Sequence, residues 1–232
     1  VLVRRVLANG WAPLAALALC PLVAWWRPGG ERVALGHAEA IAGFERSLGV
    51  FVEPAVHAWA TQHPALLTAA WVLYLTLHVP VTGAALVWTR LERPQAWPRL
   101  RDLFVATQVL VMAVAVAVPT ASPVRLGEVA RGAAPPDTGL SSLLQTPYAA
   151  MPSGHVAFAL IAGGTVVALT RSPWLRIAGA AYPLLIAAVT VLTANHFVSD
   201  LAVAGAIVLA CGVVLALRDA RQPALRPRLD AR

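Results

Sequence analysis

Residues 6–26 carry no charged side chain, and five further apolar runs follow at 65–89, 103–118, 156–170, 177–194 and 201–217. A helix of ~20 residues reaches across the ~30 Å of hydrocarbon in a bilayer, so runs of this kind read as spanning helices. The expectation is an all-α, polytopic membrane protein: a six-helix transmembrane bundle forming one domain over 1–217, with a basic cytoplasmic tail at 218–232. A composition 59% hydrophobic and 12% charged, with mean hydropathy +0.69, belongs with that class and not with a soluble domain.

The segment between the first two runs is different. From 34 to 61, Ile41, Phe44, Leu48, Phe51 and Val52 recur near helical spacing, while Glu39, Glu45, Arg46 and Glu53 fall elsewhere. This predicts one amphipathic helix lying in the extracytoplasmic interface, with Glu45 and Glu53 on its solvated face.

The net charge of +7 comes from 18 basic residues, all arginine. They cluster between the apolar runs, a pattern that follows from the positive-inside rule and argues against nucleic acid as a partner. Threading the runs alternately puts thirteen arginines on one side and five on the other. The richer side is expected to be cytoplasmic, with both termini inside and the protein multi-pass in the plasma membrane. Cys20 and Cys211 each sit in an apolar run as small hydrophobes, with no disulfide or metal implied. Leu17 to Cys20 looks like a lipoprotein cleavage box, but Pro21 follows the cysteine directly, so a retained first span is expected.

Two short polar signatures break the apolar pattern. Pro152-Ser153-Gly154-His155 opens the fourth run, and Asn195-His196-Phe197-Val198-Ser199-Asp200 joins the fifth to the sixth. His155 and His196 are 41 residues apart, about the length needed to cross a bilayer and return. Both histidines are thus expected on one face of the membrane, the extracytoplasmic one. Ionisable groups at the ends of spans are costly and mark functional sites.

Asp200 lies four residues after His196, on the same face of a helix beginning there. A carboxylate beside an imidazole fixes its tautomer and raises its basicity, which suits His196 to act as nucleophile or base. His155 is placed to supply a proton to a leaving group. Ser153 and Gly154 precede a helix start, whose free N–H groups favour an anion, and Arg125 on the same side offers a guanidinium to phosphate. These parts describe phosphoryl transfer through a phosphohistidine, with no metal or other cofactor called for. His78, two residues before Pro80, reads as a hydrogen-bonded core histidine at a kink.

At these residues the chain resembles the type 2 phosphatidic acid phosphatase superfamily, whose marks are a PSGH motif and a later SRxxxxxHxxxD motif, with an earlier KxxxxxxRP motif. The resemblance implies a metal-independent six-helix membrane enzyme acting on a lipid phosphate. It assigns His196 as nucleophile, Asp200 as its activating partner and His155 as acid to the leaving alcohol. Ser153 and Gly154 become phosphate contacts. Two positions depart from the pattern: Thr190 stands where the second motif has arginine, and Pro123-Val124-Arg125 stands where the first is expected, in a chain without lysine. Both departures, with Tyr148 to Ser153, Thr193 to Phe197, Glu45 to Glu53 and His78-Val79-Pro80, resemble the inositol phosphorylceramide synthase-like branch. Gly154 matches the phosphatases.

The reading is therefore a lipid phosphate phosphatase, with transfer of a phospho-head group to an alcohol acceptor as the alternative. Two remoter readings use the same residues. An intramembrane protease would take Ser153 as nucleophile, but a GxSxG-like setting is missing. A His/Asp transporter would be supported by two related halves, and the sequence has no such symmetry. The sequence is silent on head group, acceptor and oligomeric state.

Overall fold

The computed structural model describes residues 30–129 and 148–221, together with 12, 13 and 15. Apart from those three positions, the run at 6–26, Cys20 included, lies outside the described residues, as do Arg131, Asp137 and residues 222–232. Among the described residues the chain forms eight α-helices and one 3₁₀ turn, with no strand.

The segment at 34–61 is two helices where one was expected. Helix α1 runs Gly30–Ser47 and α2 runs Glu53–Thr61. Gly49 ends α1 with φ +70, and the turn is a Schellman motif. The Val50 N–H donates to the Glu45 carbonyl at 2.9 Å and the Gly49 N–H to the Arg46 carbonyl at 3.0 Å. Ala34, Ala38, Ala42 and Glu45 make one stripe along α1, each 0% exposed. Solvation of Glu45 and Glu53 is thereby overturned, because both side chains face inward and both are fully buried.

Next come α3, Pro64–Thr76, and α4, His78–Glu92, which meet at Leu77 with a bend of 41°. Pro80 has no N–H to give the Thr76 carbonyl, so the regular ladder cannot run through this point. Helix α5 is Trp97–Ala117, followed by the 3₁₀ turn Pro123–Arg125. Helix α6 is Gly154–Leu169, α7 is Pro173–Leu192 and α8 is Val198–Arg221. Helices α5, α7 and α8 are long and apolar enough to cross a membrane, as is the bent pair α3–α4 taken as one span. Helix α6 is apolar but shorter, at 16 residues.

The bundle closes around α6. Where α6 crosses α7 the backbones touch: a Cβ on Gly163 would lie 2.3 Å from the Gly179 carbonyl oxygen, and one on Gly179 would lie 2.9 Å from the Gly163 oxygen. Small residues permit this approach, the usual means of packing helices that lipid does not drive together. On the other flank Phe104 of α5 stacks on Phe158 of α6 at 5.1 Å. Leu67, Trp71, Val111, Val156, Ile186 and Ala204 fill the centre, from five different helices. At one end, Arg101 and Arg218 both pair with Asp102, joining the arginine-rich ends of α5 and α8.

Candidate active site

The two polar signatures are laced together by backbone. The Ser153 N–H donates to the Asp200 carbonyl at 3.2 Å, and the Ala150 N–H donates to the Thr120 carbonyl at 3.0 Å. The Val124 N–H reaches the Ala194 carbonyl, also at 3.0 Å. Segments before α6, after α5 and between α7 and α8 therefore form one polar cap. Phe197, 0% exposed, anchors this cap against the alanine stripe of α1 and stacks on Phe51 at 6.3 Å.

His196 is 4% exposed. Its Nδ1 lies 2.7 Å from the Ala150 carbonyl oxygen and 3.4 Å from Asp200 Oδ2. A carbonyl only accepts, so Nδ1 carries the proton and Nε2 keeps its lone pair. Among the described residues no hydrogen-bond partner reaches Nε2. Asp200 Oδ2 also accepts the Phe197 N–H at 2.8 Å, which ties the carboxylate to the loop it serves. The shorter of the two contacts to Nδ1 is thus the Ala150 carbonyl. Asp200 adds charge at slightly longer range.

The His155 ring centroid lies 5.6 Å from that of His196. Tyr74 stacks on His155 at 4.1 Å with 20° between planes, and His78 meets it at 4.0 Å. The His78 Nδ1 bonds the Tyr74 carbonyl at 3.2 Å, as expected of a histidine at the kink. The two side chains, one on each side of the bend at Leu77, both contact His155. Two imidazoles side by side under a buried polar cap form an arrangement that can supply a nucleophile and, beside it, a proton donor or acceptor.

A profile of the PAP2 superfamily matches residues 39–215. The chain belongs to the PAP2 superfamily. A search of curated proteins and one of solved structures give no match. The PAP2 match runs from α1 to α8 and contains both signatures. Its members are phosphatases and phosphotransferases, and a membrane enzyme of that kind is consistent with this chain.

Other PAP2-related positions take clear places. Ser153 caps α6, its Oγ accepting the Val156 N–H at 3.3 Å. Gly154 is the first residue of that helix, where a Cβ would meet only Val111, at 4.0 Å. Arg125 lies on the 3₁₀ turn with its guanidinium 5.4 Å from the Tyr148 ring centroid and 3.7 Å from Glu31. Thr190, at the position of the family arginine, is buried and donates its hydroxyl to the Ala187 carbonyl.

Three groups at this PAP2 site were not legible as such. Tyr74 and His78 are one helical turn apart, a spacing that marks a shared face, but nothing in the sequence aims that face at His155. Glu45 and Glu53 accept backbone N–H groups from Ser199 and Val198 at 2.6 and 2.7 Å. His57, 1% exposed, bonds the Leu192 carbonyl at 2.7 Å. These partners lie 135 to 154 residues away along the chain, beyond the reach of any local pattern.

Proposed function

We propose that this PAP2-superfamily enzyme is a lipid phosphate phosphatase working at the outer face of the plasma membrane through a phosphohistidine. The observation that carries the reading is His196, whose Nδ1–H is held by Ala150 and whose buried Nε2 has no partner among the described residues. In the first step Nε2 forms a bond to phosphorus and the bond from phosphorus to the lipid oxygen breaks. His155, protonated when the anionic phosphate is bound beside it, gives its proton to that oxygen, releasing the lipid alcohol. The positive charge arising on the His196 ring faces Asp200 and the Ala150 carbonyl. In the second step neutral His155 takes a proton from water, whose oxygen attacks phosphorus as the bond to Nε2 breaks. Inorganic phosphate leaves and both histidines are restored.

Phosphate is held at the start of α6 by Ser153 and Gly154 and by Arg125. The Arg125–Glu31 contact is exposed, and a pair of that kind contributes at most about 1 kcal/mol, so a phosphate can displace it. Internal packing does not demand glycine at 154; close approach of a phosphate to the helix backbone does. The run at 6–26, the bent pair α3–α4, and α5 to α8 make six spans in this reading, with α1 and α2 in the outer interface. The thirteen-to-five arginine distribution supports cytoplasmic termini.

A second reading rests on Thr190. With no arginine there, the site clamps phosphate with fewer cations, which suits a phosphodiester of one charge. The same histidine would then carry a phospho-head group to an alcohol, as in the inositol phosphorylceramide synthase-like branch. The deciding experiment is phosphate release by purified protein in detergent with EDTA, from lipid phosphomonoesters and pyrophosphates, beside His196→Ala. Release that the variant lacks supports the phosphatase. A folded protein that releases none, but transfers a head group from a phosphoinositol lipid to an alcohol, supports the second reading.

A further inference from the structure

Glu45 closes the last turn of α1 and Glu53 opens α2, and both are 0% exposed. Each uses Oε1 to accept one backbone N–H from the first turn of α8: Val198 gives to Glu53 and Ser199 to Glu45. These N–H groups belong to the two residues between Phe197 and Asp200. The positive end of α8 therefore meets carboxyl groups of the protein itself.

Each carboxyl has a second oxygen, Oε2, which is buried and has no hydrogen-bond partner among the described residues. The two carboxyls accept from consecutive N–H groups of one helix turn, which sets them side by side. Among the described residues no cation pairs with either. Arg46 is on Glu128 and Arg125 is beside Glu31, while His57 is on Leu192. His196, on the loop before α8, bonds Ala150, and Asp200, in the first turn of α8, bonds Phe197. Two adjacent buried carboxylates without a cation cannot both stay ionised.

We propose that Glu45 and Glu53 share one proton between their Oε2 atoms and, as a monoanionic pair, clamp the first turn of α8 so that His196 and Asp200 keep their reactive register. They are positioning residues: neither touches the reacting phosphate. The proton makes one carboxyl a donor and removes the repulsion between them, while the remaining negative charge suits the helix N-terminus. When the proton is lost the pair separates, and with it the hold on Val198 and Ser199. The arrangement makes the loop's geometry depend on pH through groups outside the reaction.

The test uses the full chain in detergent. Infrared difference spectra between wild type and Glu53→Gln are expected to show the carbonyl stretch of a buried, protonated carboxyl in mildly acidic solution. That band should fade as the pH is raised through about 7. Glu45→Gln should remove it as well, because the remaining carboxyl then ionises against the amide. A glutamine accepts the helix N–H through its oxygen and donates through its nitrogen, so it stands in for the protonated member. Glu53→Gln should therefore keep kcat within about threefold and lose the alkaline decline. Glu53→Ala, in folded protein, should lower kcat about 10- to 100-fold with little change in KM. Absence of the band in wild type overturns the proposal, as does equal loss of kcat in the glutamine and alanine variants. The activity arm rests on the phosphatase reading. The infrared arm does not, so an inactive wild type that shows the band still supports the clamp.

Discussion

The Ser153 N–H donates to the Asp200 carbonyl across 3.2 Å, joining the helix that starts with the first signature to the helix that starts with the second. Because Asp200 also lies 3.4 Å from His196 Nδ1, the start of α6 and the His196 ring share one short path of bonds. A shift of α8 thus moves His196 relative to His155. The first prediction follows from the difference between the two supports of His196. His196→Ala removes the nucleophile and should lower phosphate release by at least about 10³-fold. Asp200→Asn leaves the closer Ala150 carbonyl in place to hold Nδ1–H, so a smaller loss, about 10- to 100-fold in kcat, is expected. Steady-state kinetics of the two variants, with folding checked by size exclusion, tests the ranking.

Tyr74 holds His155 by its ring face and not by its hydroxyl. Tyr74→Phe should therefore keep kcat within about threefold, whereas Tyr74→Ala should cost about tenfold, the worth of one stacked aromatic contact. Equal losses in the two variants would show that the hydroxyl matters and the stacking does not.

Gly163 and Gly179 are predicted to be intolerant of alanine for a purely steric reason. A methyl on Gly163 would press on backbone at 2.3 Å, and α6 could only make room by moving away from α7. Overpacking of this kind costs about 1–3 kcal/mol. Gly164→Ala, next along the helix with nothing within 4 Å, should be neutral. Thermal unfolding of the three single variants in one detergent reads the contrast directly.

The stability of the fold should depend on pH through Glu53. Burial, and the like charge of Glu45, push its carboxyl up to about 7 from 4.5, against backbone hydrogen bonds that pull it down. The folded chain thus keeps a proton that the unfolded chain gives up. The stabilisation is complete below about pH 4.5 and is lost as pH rises through about 7. Melting temperature should fall over that window in wild type and flatten in Glu53→Gln.

Gly49 controls how the two carboxyls meet. Its φ of +70 turns the chain from α1 into α2, and a side chain there costs about 1–2 kcal/mol. Gly49→Ala should lower the melting temperature although a Cβ there would strike nothing within 4 Å. If the variant melts with wild type, backbone strain at this turn is refuted.

Some of this was open to reading along the chain. Apolar run length is a one-dimensional property, so the helical class and the spans at 103–118, 177–194 and 201–217 were legible as α5, α7 and α8. The pairing of His196 with Asp200 was legible too, because four residues make one helical turn wherever the helix sits. The helix start at Gly154 was equally local, since Ser153 is a good cap in any fold. Tertiary structure decided the remainder. An amphipathic pattern shows that Glu45 and Glu53 share a side of their segment, but not whether that side meets water or protein. Their partners are backbone N–H groups, which every residue but proline has and no sequence pattern marks. The same holds for His196, whose nearest support is the carbonyl of Ala150. Tyr74 and His78 meet His155 through the packing of α3 and α4 against α6, which no local pattern marks.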